Sequence, residues 1–352
     1  MRRNTAAADL SRAPELITVR RKFPDGKRML AASSPVRLAL VAAVGFALAA
    51  APARAEYPER PVTIVVPYTA GSQTDAVARL IAQALQEKLG QPFLVEDKAG
   101  ASGLVAALGV SRAAPDGYTL MVTTNTTHAA APGLFKNVPY DPVKDFTAIA
   151  QIGIFRSVIA VNANSPVHSM GEFVTYAKAN PGKLEYGQGN GTTQVVFETM
   201  KKRVGIDVVR VPYRSNPAAT TDLVAGHIAL AAPDYLNGLP QIKAGRIRPL
   251  AVMTKDRSHI LPDVPTLDET VMPGFDIEAW VGFFGPAHLP ADVVDVLGRE
   301  VEQILARPEV KQRFLDSGSE VKWKGPKEFG DFVKSEVVKW TALTKEANIQ
   351  PE

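Results

Sequence analysis

The stretch around Gly71 has the residue types of an anion-binding site. Ser72 and Asp75 stand at the S-x-x-D spacing of a capping box, which marks a helix N-terminus. The first amides of a helix have no intrahelical partner and readily bind carboxylate or phosphate groups. The small residues Ala70 and Gly71 would let a ligand approach the backbone, although Ser72 and Asp75 could equally serve as a plain cap. Neither G-x-x-x-x-G-K nor G-x-G-x-x-G occurs here, which argues against a nucleotide site.

Polar residues also follow several other predicted strands. The glycine-rich loop 187–193 ends in Thr192 and Thr193, either of which could cap a second helix, although a plain turn is the alternative. Thr124 and Thr126 belong to a hydroxyl-rich segment that follows another strand. In an open α/β sheet, ligands bind at the carboxyl ends of the strands, so we expect these loops to line one cleft.

Three ionisable residues near these loops could each play either of two roles. Arg214 could clamp a carboxylate with its planar fork, or it could be a solvated surface arginine. Asp234 could bind an amine or hydroxyl of a ligand, or it could cap the helix that follows. His128 could contact a ligand or pack in the core. The full set of candidate ligand-binding residues is Tyr68, Thr69, Ala70, Gly71, Ser72, Asp75, Thr124, Thr126, Gly191, Thr192, Thr193, Tyr213, Arg214, Ser215 and Asp234.

Residues for other kinds of chemistry are missing from the sequence. It contains no cysteine, and its five histidines show no metal-ligand spacing, so no metal or cofactor is implied. Ser72, Asp75 and His128 could be imagined as a hydrolase triad, but no G-x-S-x-G elbow is present. We therefore expect a binding protein rather than an enzyme.

An alternation of strands and helices must position these loops. Residues 62–66 form a β-branched, nearly apolar run typical of a buried strand, and a helical period begins after Gly71. This alternation predicts an α/β fold with a mostly parallel sheet and helices on both faces. Strands are predicted at 62–66, 93–96, 119–124, 149–154, 158–161, 184–186, 207–211, 228–232 and 250–253. Helices are predicted at 74–89, 103–113, 171–179, 193–204, 218–225, 236–243, 291–306, 309–316 and 326–347.

Residues 1–55 have the pattern of an export signal. The apolar run 38–50 is too short to span a bilayer comfortably, basic residues precede it, and Ala53-Arg54-Ala55 matches an A-x-A cleavage site. Met29 would start a signal of ordinary length, and we hypothesise that it is the true start. This segment holds ten of the 40 Lys and Arg and three of the 36 Asp and Glu. The remainder is therefore slightly acidic, so the overall charge of +4 does not indicate nucleic-acid binding.

The chain resembles the Bug-type periplasmic solute receptors, which are the binding proteins of tripartite tricarboxylate transporters. The matching motifs lie in order along the chain after residue 56. They are PYTAGSQTD (67–75), APDGYTL (114–120), VPYDP (138–142), PGKL (181–184), VPY (211–213), LPDVPT (261–266), PGF (273–275) and Trp280. The match departs from the family pattern at Gln188 and Val195, where a serine and a histidine are common, and at Ser215, which replaces a glycine.

The resemblance implies a two-lobed periplasmic-binding-protein (Venus-flytrap) architecture with the ligand in the interlobe cleft. Lobe 1 would comprise residues 56–154, lobe 2 residues 155–280, and residues 281–352 would return to lobe 1. The ligand would be a small organic acid or amino acid, delivered by a periplasmic monomer to an inner-membrane tripartite tricarboxylate permease. A receptor that presents its ligand to a membrane sensor kinase is the alternative, and a secreted hydrolase is a further one.

Overall fold

The structure is a computed structural model that describes residues 57–352. The export signal expected at residues 1–55 lies outside the described residues. No helix in the described range is long and apolar enough to cross a membrane.

Six strands form the first sheet, in the order β11-β4-β10-β3-β1-β2. Strand β1 pairs in parallel with β2 and β3, whereas β10 runs antiparallel between β3 and β4, and β11 runs antiparallel to β4. The strands are β1 (Val62–Val66), β2 (Phe93–Asp97), β3 (Thr119–Thr124), β4 (Phe146–Phe155), β10 (Ala279–Pro286) and β11 (Ser319–Lys324).

Five strands form the second sheet, in the order β7-β6-β8-β5-β9. Strand β6 pairs in parallel with β7 and β8, and β5 runs antiparallel to β8 and β9. The strands are β5 (Val158–Asn162), β6 (Glu185–Gln188), β7 (Val209–Pro212), β8 (Leu230–Ala231) and β9 (Ile247–Val252).

The α/β class is confirmed, but the expectation of a mostly parallel sheet is wrong. Both sheets are mixed. In the first, the chain leaves through β4 and re-enters as β10, beside β4 and in the opposite direction, and in the second, β5 runs antiparallel to β8 and β9. Strands β10 and β11 were not predicted, because their local sequence signals are weak. Strand β10 lies within the turn-rich stretch 273–290, and β11 is a short, partly exposed strand between two helices.

Eleven α-helices cover these sheets in the described part of the chain. The first, α1, buries Val77, Ala78, Ile81 and Leu85, which recur at helical spacing. The helices are α1 (Gln73–Leu89), α2 (Leu104–Ser111), α3 (Ala131–Leu134), α4 (Met170–Ala179), α5 (Gly191–Val204), α6 (Asn216–Ala225), α7 (Tyr235–Lys243), α8 (Leu267–Thr270), α9 (Ala291–Ala306), α10 (Pro308–Asp316) and α11 (Pro326–Glu346).

Helix α11 contacts both halves of the molecule, meaning the part built on the first sheet and the part built on the second. Its Glu336 carboxylate is buried and accepts hydrogen bonds from the indoles of Trp280 in β10 and Trp340, each at 2.9 Å. At its C-terminal end, Glu346 forms an ion pair of 2.6 Å with Arg203 of α5. The helix therefore packs on the first sheet and reaches a helix of the second half.

Candidate functional site

Four helices begin at one cleft between the two sheets. The N-cap residues of α1, α5, α6 and α7 are Ser72, Asn190, Ser215 and Asp234, and all four line the cleft. The cleft has a volume of about 510 Å³, including the part that opens to solvent. Each helix directs partially positive, unpaired amides toward its N-terminus, so the four together favour an anion.

The electrostatics of the cleft depend on neutral donors rather than on cations. Among the residues that the structure describes, no Lys, Arg or His lines it, and Asp234 is the lining residue with a carboxylate. Its lining residues are Tyr68, Ser72, Gln73, Thr74, Thr124, Asn125, Phe155, Ser157, Gly189, Asn190, Thr192, Thr193, Ser215, Asn216, Pro217, Asp234, Met253 and Ala279. An anion here would be bound by hydroxyl groups, side-chain amides and helix N-termini.

The start of α1 is fixed by two side chains. The Ser72 hydroxyl accepts from the Asp75 amide at 3.2 Å, and the Asp75 carboxylate accepts from the Gly71 amide at 2.8 Å. Asp75 also forms an ion pair of 2.6 Å with Arg79. The capping role expected for Ser72 and Asp75 is therefore present. The Gly71 amide already donates to the Asp75 carboxylate. The next amides of the helix, at Gln73 and Thr74, are the ones that could bind a ligand.

Gln73 is held in one orientation at this helix start. Its Nε2 donates to the carbonyls of Ser317 at 3.0 Å and Gly318 at 2.8 Å, and contacts the Ser319 hydroxyl at 3.1 Å. Because carbonyl oxygens only accept, these contacts identify the nitrogen, and the other terminal atom is an acceptor. That atom, Oε1, is buried and has no hydrogen-bond partner among the described residues.

Hydroxyl groups line the side of the cleft formed by the first sheet. The Tyr68 hydroxyl and the Thr124 hydroxyl are 2.8 Å apart, and both side chains are buried. Burial raises the pKa of the Tyr68 phenol, so this group stays neutral and can act as a donor or an acceptor.

Among residues 57–352, two hydrogen bonds cross the cleft. The Thr69 hydroxyl, after β1, donates to the Ser215 hydroxyl at 2.8 Å. Asn125, after β3, donates from Nδ2 to the Thr192 hydroxyl in α5, also at 2.8 Å. Each bond joins a loop of the first sheet to a helix start of the second half, so the molecule is in a closed form.

The glycine-rich loop before α5 requires its glycines for close approach. A Cβ at Gly189 would lie 2.1 Å from the Asn216 side-chain oxygen, and one at Gly191 would lie 2.7 Å from Leu134. The helix start itself is a capping box, in which Asn190 accepts from the Thr193 amide at 2.9 Å. The cap is Asn190, whereas the sequence suggested Thr192 or Thr193.

Asp234 is a buried carboxylate at the start of α7. One of its oxygens accepts from the Asn237 amide at 3.0 Å and from the Asn237 side chain at 2.7 Å. Burial raises the pKa of this carboxyl, and the neutral donors around it only partly oppose that rise. Among the described residues it has no ion-pair partner.

Seven of the fifteen candidate residues line the cleft, and eight lie elsewhere. The seven are Tyr68, Ser72, Thr124, Thr192, Thr193, Ser215 and Asp234. Four of the others, Thr69, Gly71, Asp75 and Gly191, are those described above, which bridge the cleft or shape a helix start. Ala70 is exposed, and Thr126 is buried behind Gly191.

Two of the candidates outside the lining belong to the loop after β7. The Tyr213 hydroxyl donates to Asp222 of α6 at 2.7 Å. Arg214 is exposed, and within the described range its guanidinium has no hydrogen-bond or ion-pair partner. The structure therefore shows Arg214 on the surface, outside the lining of the cleft.

His128 belongs to the core. It is fully buried, its ring stacks on Phe284 with 4.0 Å between centroids, and Phe146 lies edge-on at 4.4 Å. Burial lowers the pKa of the imidazole to about 3, so the ring is neutral. Packing, rather than ligand contact, is its role here.

The fifteen named candidates leave out eleven residues of the lining. Seven are neighbours of predicted residues in the same loops, and the polar character of those loops could have included them: Gln73, Thr74, Asn125, Gly189, Asn190, Asn216 and Pro217. The other four, Phe155, Ser157, Met253 and Ala279, lie at strand ends where the chain crosses between the sheets, and no local signal marks them. Within residues 57–352, no cluster of three His, Asp or Glu side chains could hold a metal ion.

Comparison with known proteins finds one family and several solved relatives. A family model described as the tripartite tricarboxylate transporter family receptor matches residues 77–349. An R. palustris protein solved with adipate is 32% identical, with a TM-score of 0.81, over 84% of this chain and 100% of that chain. The periplasmic binding protein BugD is 32% identical, with a TM-score of 0.80, over 84% and 100% of the two chains. MatC from Rhodopseudomonas palustris, solved with bound malate, is 31% identical, with a TM-score of 0.78, over 82% and 100%.

Proposed function

The chain belongs to the tripartite tricarboxylate transporter receptor family, and we propose that it captures a small carboxylated metabolite in the cleft between two lobes. The family match and the similarity to BugD confirm the resemblance to Bug-type receptors and the two-lobed α/β architecture. Members of this family are solute-binding proteins rather than enzymes. The hydrolase alternative is therefore set aside.

The observation that carries the proposal is the convergence of four helix N-termini on a cleft without cations. The unpaired amides at these helix starts suit a carboxylate, and the hydroxyls of Tyr68, Thr124 and Thr192 supply further donors. Two solved relatives contain carboxylates, adipate in one and malate in the other. A small organic acid or amino acid is the ligand class that fits these observations.

The lobes of the proposal follow the two sheets. The first lobe comprises residues 56–154 and 281–352, and the second comprises residues 155–280. In support, strands β1 to β4 end at Phe155, strands β5 to β9 lie between 158 and 252, and β10 begins at Ala279, so the proposed bounds agree with the sheets to within two residues. Ligand contacts from both lobes would then favour the closed form by their differential affinity for it.

The proposed location is the periplasm, and the proposed partner is an inner-membrane permease of the tripartite tricarboxylate type. Export would use residues 1–55 as a cleaved signal, and N-terminal sequencing of the exported protein should then begin at Glu56. An exported protein that begins upstream of residue 56 would contradict this cleavage site. Co-purification with the permease in the presence of ligand would test the partner.

A thermal-shift screen with matched pairs tests the ligand class. The purified protein should gain much more thermal stability with a carboxylic acid than with the uncharged amide of that acid, because only the carboxylate brings a negative charge to the helix N-termini. A ligand that binds the folded state raises the apparent melting temperature by mass action. If no organic acid or amino acid raises it at millimolar concentration, the proposed function is wrong.

A further inference from the structure

We propose that the ligand carries, besides its carboxylate, a hydrogen-bond-donating substituent, an ammonium or hydroxyl group, that contacts Asp234. This inference rests on the proposed function and narrows its ligand class. It starts from a mismatch in the cleft, which has, among the described residues, two buried acceptors without donors and one acidic group without a cation.

Asp234 is the acidic group. Its side chain is 5% exposed and lines the cleft, and the groups that donate to it are neutral amides of Asn237 and Asn216. Of the described residues, none forms an ion pair with it. A buried carboxylate without a cation is costly, because neutral donors replace only part of its hydration. A donor group on the ligand would supply what the protein lacks.

Two amide oxygens add to the mismatch. Gln73 and Asn125 both line the cleft and are buried, and each has its nitrogen engaged with protein acceptors. The remaining oxygens, Gln73 Oε1 and Asn125 Oδ1, have no partner in the described part of the chain. Buried acceptors without donors are rare in native proteins, so these two atoms need a donor, which a group on the ligand can supply.

The acceptors lie close to the proposed carboxylate site. Gln73 is the first residue of α1, so the same residue contributes a free helix amide and the unpaired Oε1. A carboxylate bound at that amide would place a substituent on its neighbouring carbons near the acceptors. An unsubstituted dicarboxylate offers only acceptors at neutral pH and would face Asp234 with a like charge.

Isothermal titration calorimetry with succinate, malate and aspartate tests the inference. These three share one four-carbon skeleton and differ only at C2, which bears hydrogen, hydroxyl or ammonium. Glutarate with 2-hydroxyglutarate and glutamate, and adipate with 2-aminoadipate, extend the comparison to longer chains. A site built to hydrogen-bond a substituent rejects the analogue that lacks it, so the substituted ligand of the fitting chain length should bind at least tenfold tighter than its parent.

The results separate this inference from the function on which it rests. Tighter binding of aspartate than malate would identify ammonium as the donor, and the reverse order would identify hydroxyl. An unsubstituted parent that binds as tightly as its substituted partners would overturn the inference and leave the proposed function intact. Failure of every carboxylate to bind would overturn both.

Asp234→Asn tests the assignment to one residue. Asparagine is a good N-cap, so one oxygen still accepts from Asn237 while the negative charge disappears and an amide donor replaces the second oxygen. The preference for the substituted ligand over its parent should fall at least tenfold. The control is Asp263→Asn, which removes the charge of an exposed residue outside the cleft and should keep the full preference. An unchanged preference in Asp234→Asn would rule out contact with Asp234.

Discussion

The Thr69 hydroxyl donates to the Ser215 hydroxyl at 2.8 Å, and this bond joins the loop after β1 to the N-cap residue of α6 across the cleft. Ser215 uses no side-chain bond to cap its own helix, so its hydroxyl is free to accept from the opposite side. The bond exists only when the two halves are close together. It is therefore a contribution to the closed form that the open form lacks.

Thr69→Val should weaken ligand binding by up to about tenfold. Valine keeps the shape of threonine but cannot donate, and a single hydrogen bond contributes about 0.5–1.5 kcal/mol. Calorimetric titration with the best ligand measures the loss. The control is Thr175→Val on α4, an exposed position far from the cleft whose hydroxyl bonds only to its own helix. Equal affinities in the two variants would show that the Thr69–Ser215 bond does not contribute to closure.

Ligand binding should make the molecule more compact in solution. The two bonds that cross the cleft, from Thr69 and from Asn125, depend on approach of the two halves, and a ligand held by both halves favours that state. Small-angle X-ray scattering should therefore give a smaller radius of gyration with ligand than without it. An identical radius in both samples would indicate a ligand held by one lobe or a cleft that is closed at all times.

Gly71→Ala should lower the free energy of unfolding by about 1 kcal/mol. Gly71 has a φ of +78°, and a left-handed conformation costs a residue with a Cβ about 1–2 kcal/mol. Gly109 in α2 is the matched control, because a Cβ at either position would meet no atom within 4 Å and Gly109 has an ordinary helical conformation. Gly109→Ala should raise the free energy of unfolding, by roughly 0.5–1 kcal/mol. Urea denaturation of both variants separates backbone strain from steric effects, and a stable Gly71→Ala would contradict the strain argument.

Glu320→Gln should destabilise the protein at neutral pH but not in acid. Glu320 in β11 forms a two-point ion pair with Arg156, in the link between β4 and β5, at 2.8 and 3.1 Å. The hydrogen bond from Arg156 lowers the pKa of the Glu320 carboxyl below its usual 4.5. A lowered pKa in the folded state adds stability above the unfolded pKa, and that stability is lost as the pH falls through the folded pKa.

Denaturation at pH 7 and at pH 3 checks this sign. The free energy of unfolding of Glu320→Gln should fall by roughly 1 kcal/mol at pH 7, the scale of a partly exposed ion pair, and approach that of the parent at pH 3. Glu302→Gln, on the exposed side of α9, is the control and should change little at either pH. A loss of equal size at both pH values would attribute the effect to packing rather than to charge.

The sequence predicts the strands and helices of this fold well, and its sheet order poorly. Residues 62–66 and 119–124 coincide with β1 and β3, because their apolar β-branched runs and flanking turns are local signals. The insertion of β10 between β3 and β4 depends on a contact between segments more than 120 residues apart. No local pattern encodes that pairing, so the mixed character of the sheets could not be predicted.

In the candidate site, too, local features could be predicted from the sequence and long-range contacts could not. Ser72 and Asp234 are lining residues with the cap spacing and strand-end position that made them candidates. Gln73 lies in a loop that was predicted to line the cleft, but its side-chain orientation depends on the carbonyls of Ser317 and Gly318, which approach from the other end of the chain. The polar loop could therefore be predicted from the sequence, but the distant partners that orient Gln73 could not.

Arg214→Ala tests whether the ligand carboxylate is bound by the Arg214 guanidinium or by the neutral donors that line the cleft. If Arg214 held the ligand carboxylate with its planar fork, its removal should reduce affinity at least about tenfold, and lysine should recover only part of the loss. The structure has Arg214 exposed and outside the lining, while four helix starts supply neutral donors inside it. We therefore expect Arg214→Ala to bind within about twofold of the parent at 0.15 M salt, where charges beyond about 8 Å are largely screened.

Calorimetric titration of the Ala and Lys variants measures this, with Arg246→Ala, in the turn before β9, as the control for loss of one positive charge. A tenfold loss confined to Arg214→Ala would mean that the arginine turns into the cleft when ligand binds, and the carboxylate would then be held by charge.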